Sequence, residues 1–377
     1  MPFSLSHRFA LASAAVSAVF FSLPGQAQIL PDGTLGTQVF GACGGTGGAC
    51  GIINGTTRGS NLFHSFLQFS LPNGDFAAFA ANPAIRNVIV RVTGADISNI
   101  NGTIATVDPT FTNVVPTNFF LLNPNGIVFG PGATLLNGGS FLATAAERML
   151  FQDGRVFSAR DPTPNPILTV SVPVGLQFGQ TPGNIQMQRT FLSAGNTDRF
   201  SDFALVGGDV TLDNSVIQAP RRRVELGGVA SAGTVGLTTT GNGLSFSFPD
   251  GLPRANVSIT NRSSVDVLGI DGGSLAVTAR NLDISGGSRL IAGIFSGLGF
   301  TGSQAGDITL NATDTITVRQ TSGIINLVQT RATGNAGNLL LSTGSISVTE
   351  GSQLNASTFG TGNGQCNHQR PRSGRFG

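Results

Sequence analysis

The chain lacks tryptophan, tyrosine and lysine: all of its 21 basic residues are arginine, and only 11% of its 377 residues are charged. A formal net charge of +2 leaves no electrostatic footprint for nucleic acid or an anionic membrane surface. Histidine is scarce. His7 lies in the leader and His368 close to the end, so a Ser-His-Asp triad would have to use His64. No GxSxG elbow accompanies it, and a structural place between Phe63 and Phe66 is the plainer reading. Few charges and abundant Gly, Ser, Thr and Asn would suit disorder. A hydrophobic content of 40% with near-zero net charge argues against it. What remains is an all-β chain with many turns, supplied by 53 glycines.

The first residues have a clear pattern. Arg8 is followed by an uncharged apolar run, "FALASAAVSAVFFSLP", and then "GQAQ", with Gly25 and Ala27 at −3 and −1 if cleavage precedes Gln28. These are the parts of a secretory signal peptide over 1–27. The run is shorter than the ~20 residues of a spanning helix, and no later segment has that character. Export places the cysteines in an oxidising compartment. Cys43 and Cys50 bracket "GGTGGA", a run flexible enough for a small disulfide loop. Free or metal-bound thiols are the alternative, although no histidine-rich cluster lies nearby. Cys366 falls in an odd tail. No cofactor or metal site is expected.

From Gln28 to about Ala84 short apolar runs alternate with Gly, Asn and Pro. "NLFHSFLQFSLPNGDFAAF" fits neither helix nor strand period cleanly and is a reasonable N-terminal cap. Beyond Asn87 strand follows strand. "FLATAAERMLF" alone looks helical, because Ala145 to Leu150 lacks β-branched residues. The second half repeats itself: "GSLAVTARNLDISGGSRLIAG", "GDITLNATDTITVRQTSGIIN" and "GNLLLSTGSISVTEGSQLNAS", with "GDVTLDNSVIQAPRRRVELGG" from Gly208 as a degenerate copy. A period of roughly 20 to 35 residues marks a solenoid. Three short strands per unit and no helix point to a parallel β-helix, whereas a β-sandwich leaves the repeats unexplained. Strand alternation sends Leu275 and Val277, Ile308 and Leu310, and Leu339 and Leu341 inward.

Several stretches are candidates for chemistry. In "LLNPNGIVFG", Pro124 presets φ for a turn, and Asn125 and Gly126 tolerate left-handed or bridge conformations. Leu122 and Ile127 are its apolar shoulders. Such a turn can be architecture or a recognition signal. In "PRRRVELGG", strand alternation would put Arg221 and Arg223 on one face and Arg222 on the other, one of them meeting Glu225. Three arginines are a small patch for a polyanion. The acids of the repeats, Asp266, Asp271, Asp283, Asp307 and Asp314, are sparse for a pectate-lyase-like enzyme, and no GGxGxD calcium ladder occurs. After Gly364 the pattern breaks into "QCNHQRPRSGRFG", without acid or β pattern, as in a truncated or frame-disrupted tail.

Taken together, "PDGTLGT", "NLFHSFLQFSLPNG", "LLNPNGIVFG", "GGSFLATAA" and "VGGDVTL…RVELGGV" resemble the secretion domain of filamentous-haemagglutinin-type exoproteins of two-partner secretion, closest to the cyanobacterial set. The resemblance implies a right-handed parallel β-helix with an N-terminal cap and extra-helical strands. It implies export by an outer-membrane barrel whose periplasmic docking domains engage the exoprotein, with folding outside the cell as a driving force. It marks Asn123, Pro124, Asn125, Gly126 and Ile127 as the family's NPNG-Ile signature. A second motif, NPNL, is absent; "NPAIRNV" at Asn82 only begins like it. The expected organisation is a signal peptide (1–27), a secretion domain (28–245), β-helix repeats (246–364) and the atypical tail (365–377). The expected protein is a non-enzymatic exoprotein, secreted or held at the surface of a Gram-negative-type cell, with adhesion to an unknown receptor or glycan as its role. A polysaccharide-active β-helix is the alternative.

Overall fold

The computed structural model describes residues 28–45, 47–163, 168–195, 199–241 and 243–362, together with the backbone of the strand Gln365–His368. Residues 1–27, where the signal peptide is expected, and the last nine residues lie outside them. The described chain is all-β and winds as a three-faced parallel β-helix. The first face stacks Asn61–Phe69, Asn87–Val92, Thr117–Leu122, Gly138–Thr144, Phe203–Gly207 and Arg223–Gly228, each parallel to the next. The second begins Ser98–Ile100, Ile127–Phe129, Ile185–Gln188, Val210–Asp213, Val257–Thr260. In the repeats, Ser274–Ile284 and Ile308–Val318 run unbroken from the first face into the second, which joins both faces into one 18-stranded sheet. The third face is a five-stranded sheet near the N-terminus and a six-stranded one beyond it.

Parallel stacking in register places equivalent side chains above one another. One inward column on the first face reads Leu62, Val88, Phe119, Phe141, Phe203, Val224, Leu275, Ile308, Leu339. All are buried in the main core. Phe119, Phe141 and Phe203 stack with nearly parallel, offset rings, centroids 5.7 and 5.8 Å apart and planes inclined by 3° and 11°. Each such contact adds about 0.5–1.5 kcal/mol beyond area burial. The six residues expected to point inward in the repeats do so.

The outward column of the same face is also apolar at first: Phe63, Ile89, Phe120, Leu142, Ala204. A five-stranded antiparallel sheet outside the helix covers it, built from Arg148–Phe151, Val156–Ser158, Pro173–Phe178, Gly233–Thr240 and Gly243–Ser247. Met149, Phe151, Phe157, Leu176 and Val235 pack onto those outward residues as a second core. Burial on both faces explains why "NVIVRV" and "TNFFLL" are apolar without alternation. The column then turns through Glu225 to Ala276, Thr309 and Leu340, where that cover ends.

Polar ladders close the corners. Asn87 Nδ2 donates to Asn61 Oδ1 (2.8 Å), Asn118 Nδ2 to Asn87 Oδ1 (3.0 Å), and the Ser140 N–H to Asn118 Oδ1 (3.0 Å). At the corner before the third face, the backbone N–H groups of Thr190, Ser215, Ser263, Ser288 and Ser322 each donate to the hydroxyl of the next coil, Ser215, Ser263, Ser288, Ser322 and Ser352, at 2.9–3.1 Å. The residue ahead of the serine is left-handed coil after coil: Asn214, Arg262, Gly287, Thr321, Gly351. Thr321 adopts there a conformation that β-branched residues disfavour.

Several expectations change. The Phe-rich stretch is not the cap but the first coil, since Asn61–Phe69 and Phe76–Ala80 pair parallel with the coil that follows. The cap is residues 29–58: Ile29–Pro31 and Thr56–Arg58 run antiparallel along the free edge of Asn61–Phe69, while Ala49–Asn54 covers Phe76–Ala80. Exposed strand edges template association, and this is how the first one is closed. "FLATAAERMLF" is strand, not helix: Gly138–Thr144 belongs to the stack and Arg148–Phe151 to the outer sheet, so tertiary pairing overrides local propensity. The copy at Gly208 is out of phase. Val210 stacks through Val257 and Leu282 on Ile316, not on Ile308, although "GDVTL" and "GDITL" look alike. The tail does contain a strand, because Gln365–His368 pairs parallel with the chain at Asn338–Leu341.

The serine ladder yields a stability prediction. Ser263→Ala leaves the buried Ser215 N–H without its acceptor and should cost about 1–3 kcal/mol. Exposed Ser347→Ala should stay within about 0.5 kcal/mol. Equal denaturation midpoints for the two variants would refute a stabilising role for the ladder.

Candidate functional site

The NPNG corner lies between Thr117–Leu122 of the first face and Ile127–Phe129 of the second. Leu122 faces the outer core and Ile127 the inner one, both fully buried. Gly126 N–H donates to Asn123 O (3.1 Å) to close the turn. Asn123, 0% exposed, directs Nδ2 to Asp96 O (3.0 Å) and Ser98 Oγ (2.9 Å) of the preceding coil. Its Oδ1 accepts from the N–H and Nδ2 of Asn125, whose Nδ2 also reaches Gly94 O (2.7 Å). Of the two residues expected to tolerate unusual conformations, only Gly126 uses one, with φ 117°. A Cβ there would lie 2.6 Å from Asn184 O. Asn125 is half-buried and the other motif residues are buried.

The corner also grips the next coil. Asn123 N–H donates to Thr144 O, Gly183 N–H to Pro124 O, and Ile127 N–H to Asn184 O, all at 3.0 Å. Thr144 is where the chain leaves the helix to build the first three strands of the outer sheet, and Gly183 is where it returns. Thus one four-residue turn holds both ends of that excursion.

A second constellation pins the cap. Arg91 is 1% exposed and points outward beneath the outer sheet. Its Nε donates to Ser65 Oγ (2.7 Å), Nη1 to Ser158 O (2.6 Å) and Nη2 to Thr34 Oγ1 (2.9 Å). Its guanidinium carbon sits 4.6 Å from the centroid of Phe157. Asp32, in the "PDGT" turn, accepts from Ser65 Oγ, Thr93 Oγ1, Thr34 N–H and Thr34 Oγ1. Burial works to raise the Asp32 pKa, but these hydrogen bonds outweigh it and the carboxyl lies below its ordinary range. Burial lowers the Arg91 pKa, and the Asp32 charge opposes that. Cap, first two coils and outer sheet therefore meet on one buried arginine. Sequence reading missed Arg91; an arginine inside "NVIVRV" was the available signal.

The remaining candidates fall as follows. Cys43 and Cys50 form a disulfide, with Cα atoms 5.3 Å apart. Their loop docks on buried Asp75, whose carboxylate accepts from the N–H groups of Gly44 (2.9 Å) and Gly48 (2.8 Å). His64 is fully buried among Phe66 and Phe79, with Nδ1 3.2 Å from Thr37 Oγ1 and Nε2 without a partner. Arg221 to Arg223 do not alternate as strand, because only Arg223 lies within Arg223–Gly228 and Arg221 is left-handed. Arg223 pairs with Glu225 (2.9 Å) and Arg221 with Asp271 (2.9 Å). Burial raises the Glu225 pKa against the opposing charge of Arg223. Two cavities, of about 460 and 300 Å3, are lined by one carboxylate each, Asp307 and Asp209.

The described chain is a capped parallel β-helix with an outer antiparallel sheet, and the NPNG corner lies within its coils. The family model for the TPS (two-partner secretion) secretion domain matches residues 27–277, and the chain belongs to that family. It is therefore an exoprotein-type substrate of two-partner export, which implies a cognate outer-membrane transporter and fits a secreted or surface location. Among solved structures the chain is similar to the filamentous hemagglutinin secretion domain (16% identity, TM-score 0.44, 89% of this chain and 98% of that one). It is also similar to the HMW1 secretion domain from Haemophilus influenzae (13%, 0.41, 89% and 100%). No curated protein matches the sequence.

The histidine sets a pH dependence. Burial pushes the His64 pKa down from 6.5 to about 3, so the unfolded chain binds the proton more readily. The neutral ring's contribution is complete above pH 6.5 and is lost as pH falls toward 3. Stability should drop by up to about 1.4 kcal/mol per pH unit in that window. His64→Gln should flatten the difference between denaturation midpoints at pH 6.5 and pH 5; an unchanged slope would refute the assignment.

Proposed function

We propose that residues 28–245 form the part of the exoprotein that its cognate transporter takes up, and that the NPNG corner serves export through folding rather than as a surface read by the transporter. The observation that carries this is the burial of the motif: the Asn123 side chain is spent on the preceding coil, and the turn's backbone holds Thr144 and Gly183 of the next. Closing a long excursion costs chain entropy that grows with its length. A turn that offers acceptor and donor to both ends lowers the barrier to forming the outer sheet. The repeats, 246–364, would carry surface adhesion. Exposed Phe295, Phe300 and Phe359 on their flank support that reading, since aromatic side chains dominate recognition surfaces.

Asn123→Ala and Asn125→Ala should reduce export several-fold in cells that supply the cognate transporter, and should slow refolding of the purified chain. Variants that refold like wild type but are not exported would show that the transporter reads the motif itself. Normal secretion of both would remove the motif from the export step.

A further inference from the structure

The cap closes the first face but leaves one rung of the third face open. There Phe76–Ala80 carries Ala49–Asn54, which carries Thr37–Gly41, and Thr37–Gly41 pairs with no described strand beyond it. The first face ends one rung sooner, with Ile29–Pro31 and Thr56–Arg58 on Asn61–Phe69. Thr37–Gly41 therefore projects past that face by about one rung spacing, ~4.8 Å. Proteins protect such edges with short strands, charges, prolines or bulges. The first-face rung has all of these: two three-residue strands, a register shift between Leu30 and Pro31, and Arg58. Thr37–Gly41, sequence TQVFG, has five residues in unbroken register and neither charge nor proline.

Ala42 N–H donates to Ala49 O (3.1 Å), so the hydrogen-bonded pairs within the hairpin are Phe40–Gly51 and Gln38–Ile53. The alternate residues Thr37, Val39 and Gly41 turn their N–H and C=O groups to the open edge. This edge is also held rigid. The Cys43–Cys50 disulfide closes the hairpin, and Asp75 anchors its loop through Gly44 and Gly48. Phe40, 50% exposed, meets Phe111 edge to face at 5.5 Å. Asp108 accepts from the N–H groups of Thr110 and Thr112 and from Asn113 Nδ2, in a loop that keeps Phe111 left-handed. A bulky residue is held there at a cost.

We propose that this edge pairs antiparallel with the same edge of a second copy, centred on Val39, to form a head-to-head two-fold dimer. The outward backbone groups are symmetric about Val39. Val39 exchanges two hydrogen bonds with Val39 of the second copy, and Thr37 of each copy meets Gly41 of the other. Val39 is half-buried against the end of the main core, and its counterpart completes the cover. On the outer face each Phe40 lies opposite Gln38 of the second copy and diagonal to its Phe40, within reach of an aromatic contact. The strand carries no ionisable group, so the two-fold opposes no like charges, and a charged partner strand would find no counter-charge on it. Preorganisation lowers the cost of pairing. A single strand pair is a small interface, which sets the affinity in the micromolar range. The dimer requires neither the export nor the adhesion reading.

Sedimentation equilibrium of the purified exported chain, from about 1 to about 200 µM, brackets a micromolar Kd. The mass should move from monomer to dimer, and small-angle scattering of the dimer should give nearly twice the monomer's length. Gln38→Lys and Phe40→Lys, both at exposed side chains, should weaken the dimer at least tenfold with unchanged circular dichroism. Phe359→Ser, at the exposed flank of the repeats, should leave it intact. A monomer at the highest concentration, a dimer untouched by both cap variants, or one lost equally with Phe359→Ser would overturn the proposal. Assembly beyond a dimer would show an open, head-to-tail contact and overturn the two-fold. A monomeric wild type whose cap variants lose export with the cognate transporter would assign the edge to a transporter strand, and that too would overturn the dimer.

Discussion

Backbone pairing between successive coils is the constraint from which the rest of the molecule follows. Each strand of a coil must offer its N–H and C=O groups to a strand above and a strand below, because a buried unpaired peptide group costs more than most side-chain contacts return. Pairing in register turns every side-chain position into a column, and a column tolerates only groups that can stack on copies of their own kind. Apolar columns solve this with Phe119, Phe141 and Phe203. Polar columns solve it with groups that both donate and accept, hence Asn61, Asn87 and Asn118 at one corner and serines at another. Charges seldom enter a column, since like charges would stack on one another. The low charge content of the chain is the compositional trace of that rule.

The same constraint makes the ends and corners the places where specificity must be built. A first coil has no coil beneath it, and its exposed edge is closed by antiparallel strands whose attachment needs contacts outside the ladder. Arg91 and Asp32 supply them. A buried guanidinium with three directed hydrogen bonds is a poor device for raw stability. It is well suited to fixing one arrangement of cap, coil and outer sheet, because its three hydrogen bonds reach Thr34 of the cap, Ser65 of the first coil and Ser158 of the outer sheet.

Much of this was legible in advance. The inward residues of the repeats and the solenoid itself follow from strand alternation and self-similarity, since a stacked fold writes its period directly into the chain. The phase of the Gly208 copy was not legible. "GDVTL" can serve either face, and only its neighbours Val257 and Leu282 decide which. The strand Arg148–Phe151 was missed for a different reason: the Asp153-Gly154 turn that folds it onto Val156–Ser158 is a local hairpin signal that the reading of its helix-forming residues passed over, and its second partner, Pro173–Phe178, lies further along the chain. The NPNG corner was recognisable as a turn, but its burial depends on residues 94–98 and 183–184, which flank it in space and not in sequence.

That burial bears on what the turn's residues answer to. Asn123 satisfies two acceptors in one neighbouring coil, Pro124 and Ile127 contact the other through backbone, and Gly126 leaves room for Asn184. Each position is thus constrained from a different direction, and substitution at one cannot be absorbed by the rest. A turn on the surface would answer only to its own φ and ψ. This one answers to two coils and to the outer sheet whose chain it anchors. The pairing of the coils accounts for the conformation of this turn.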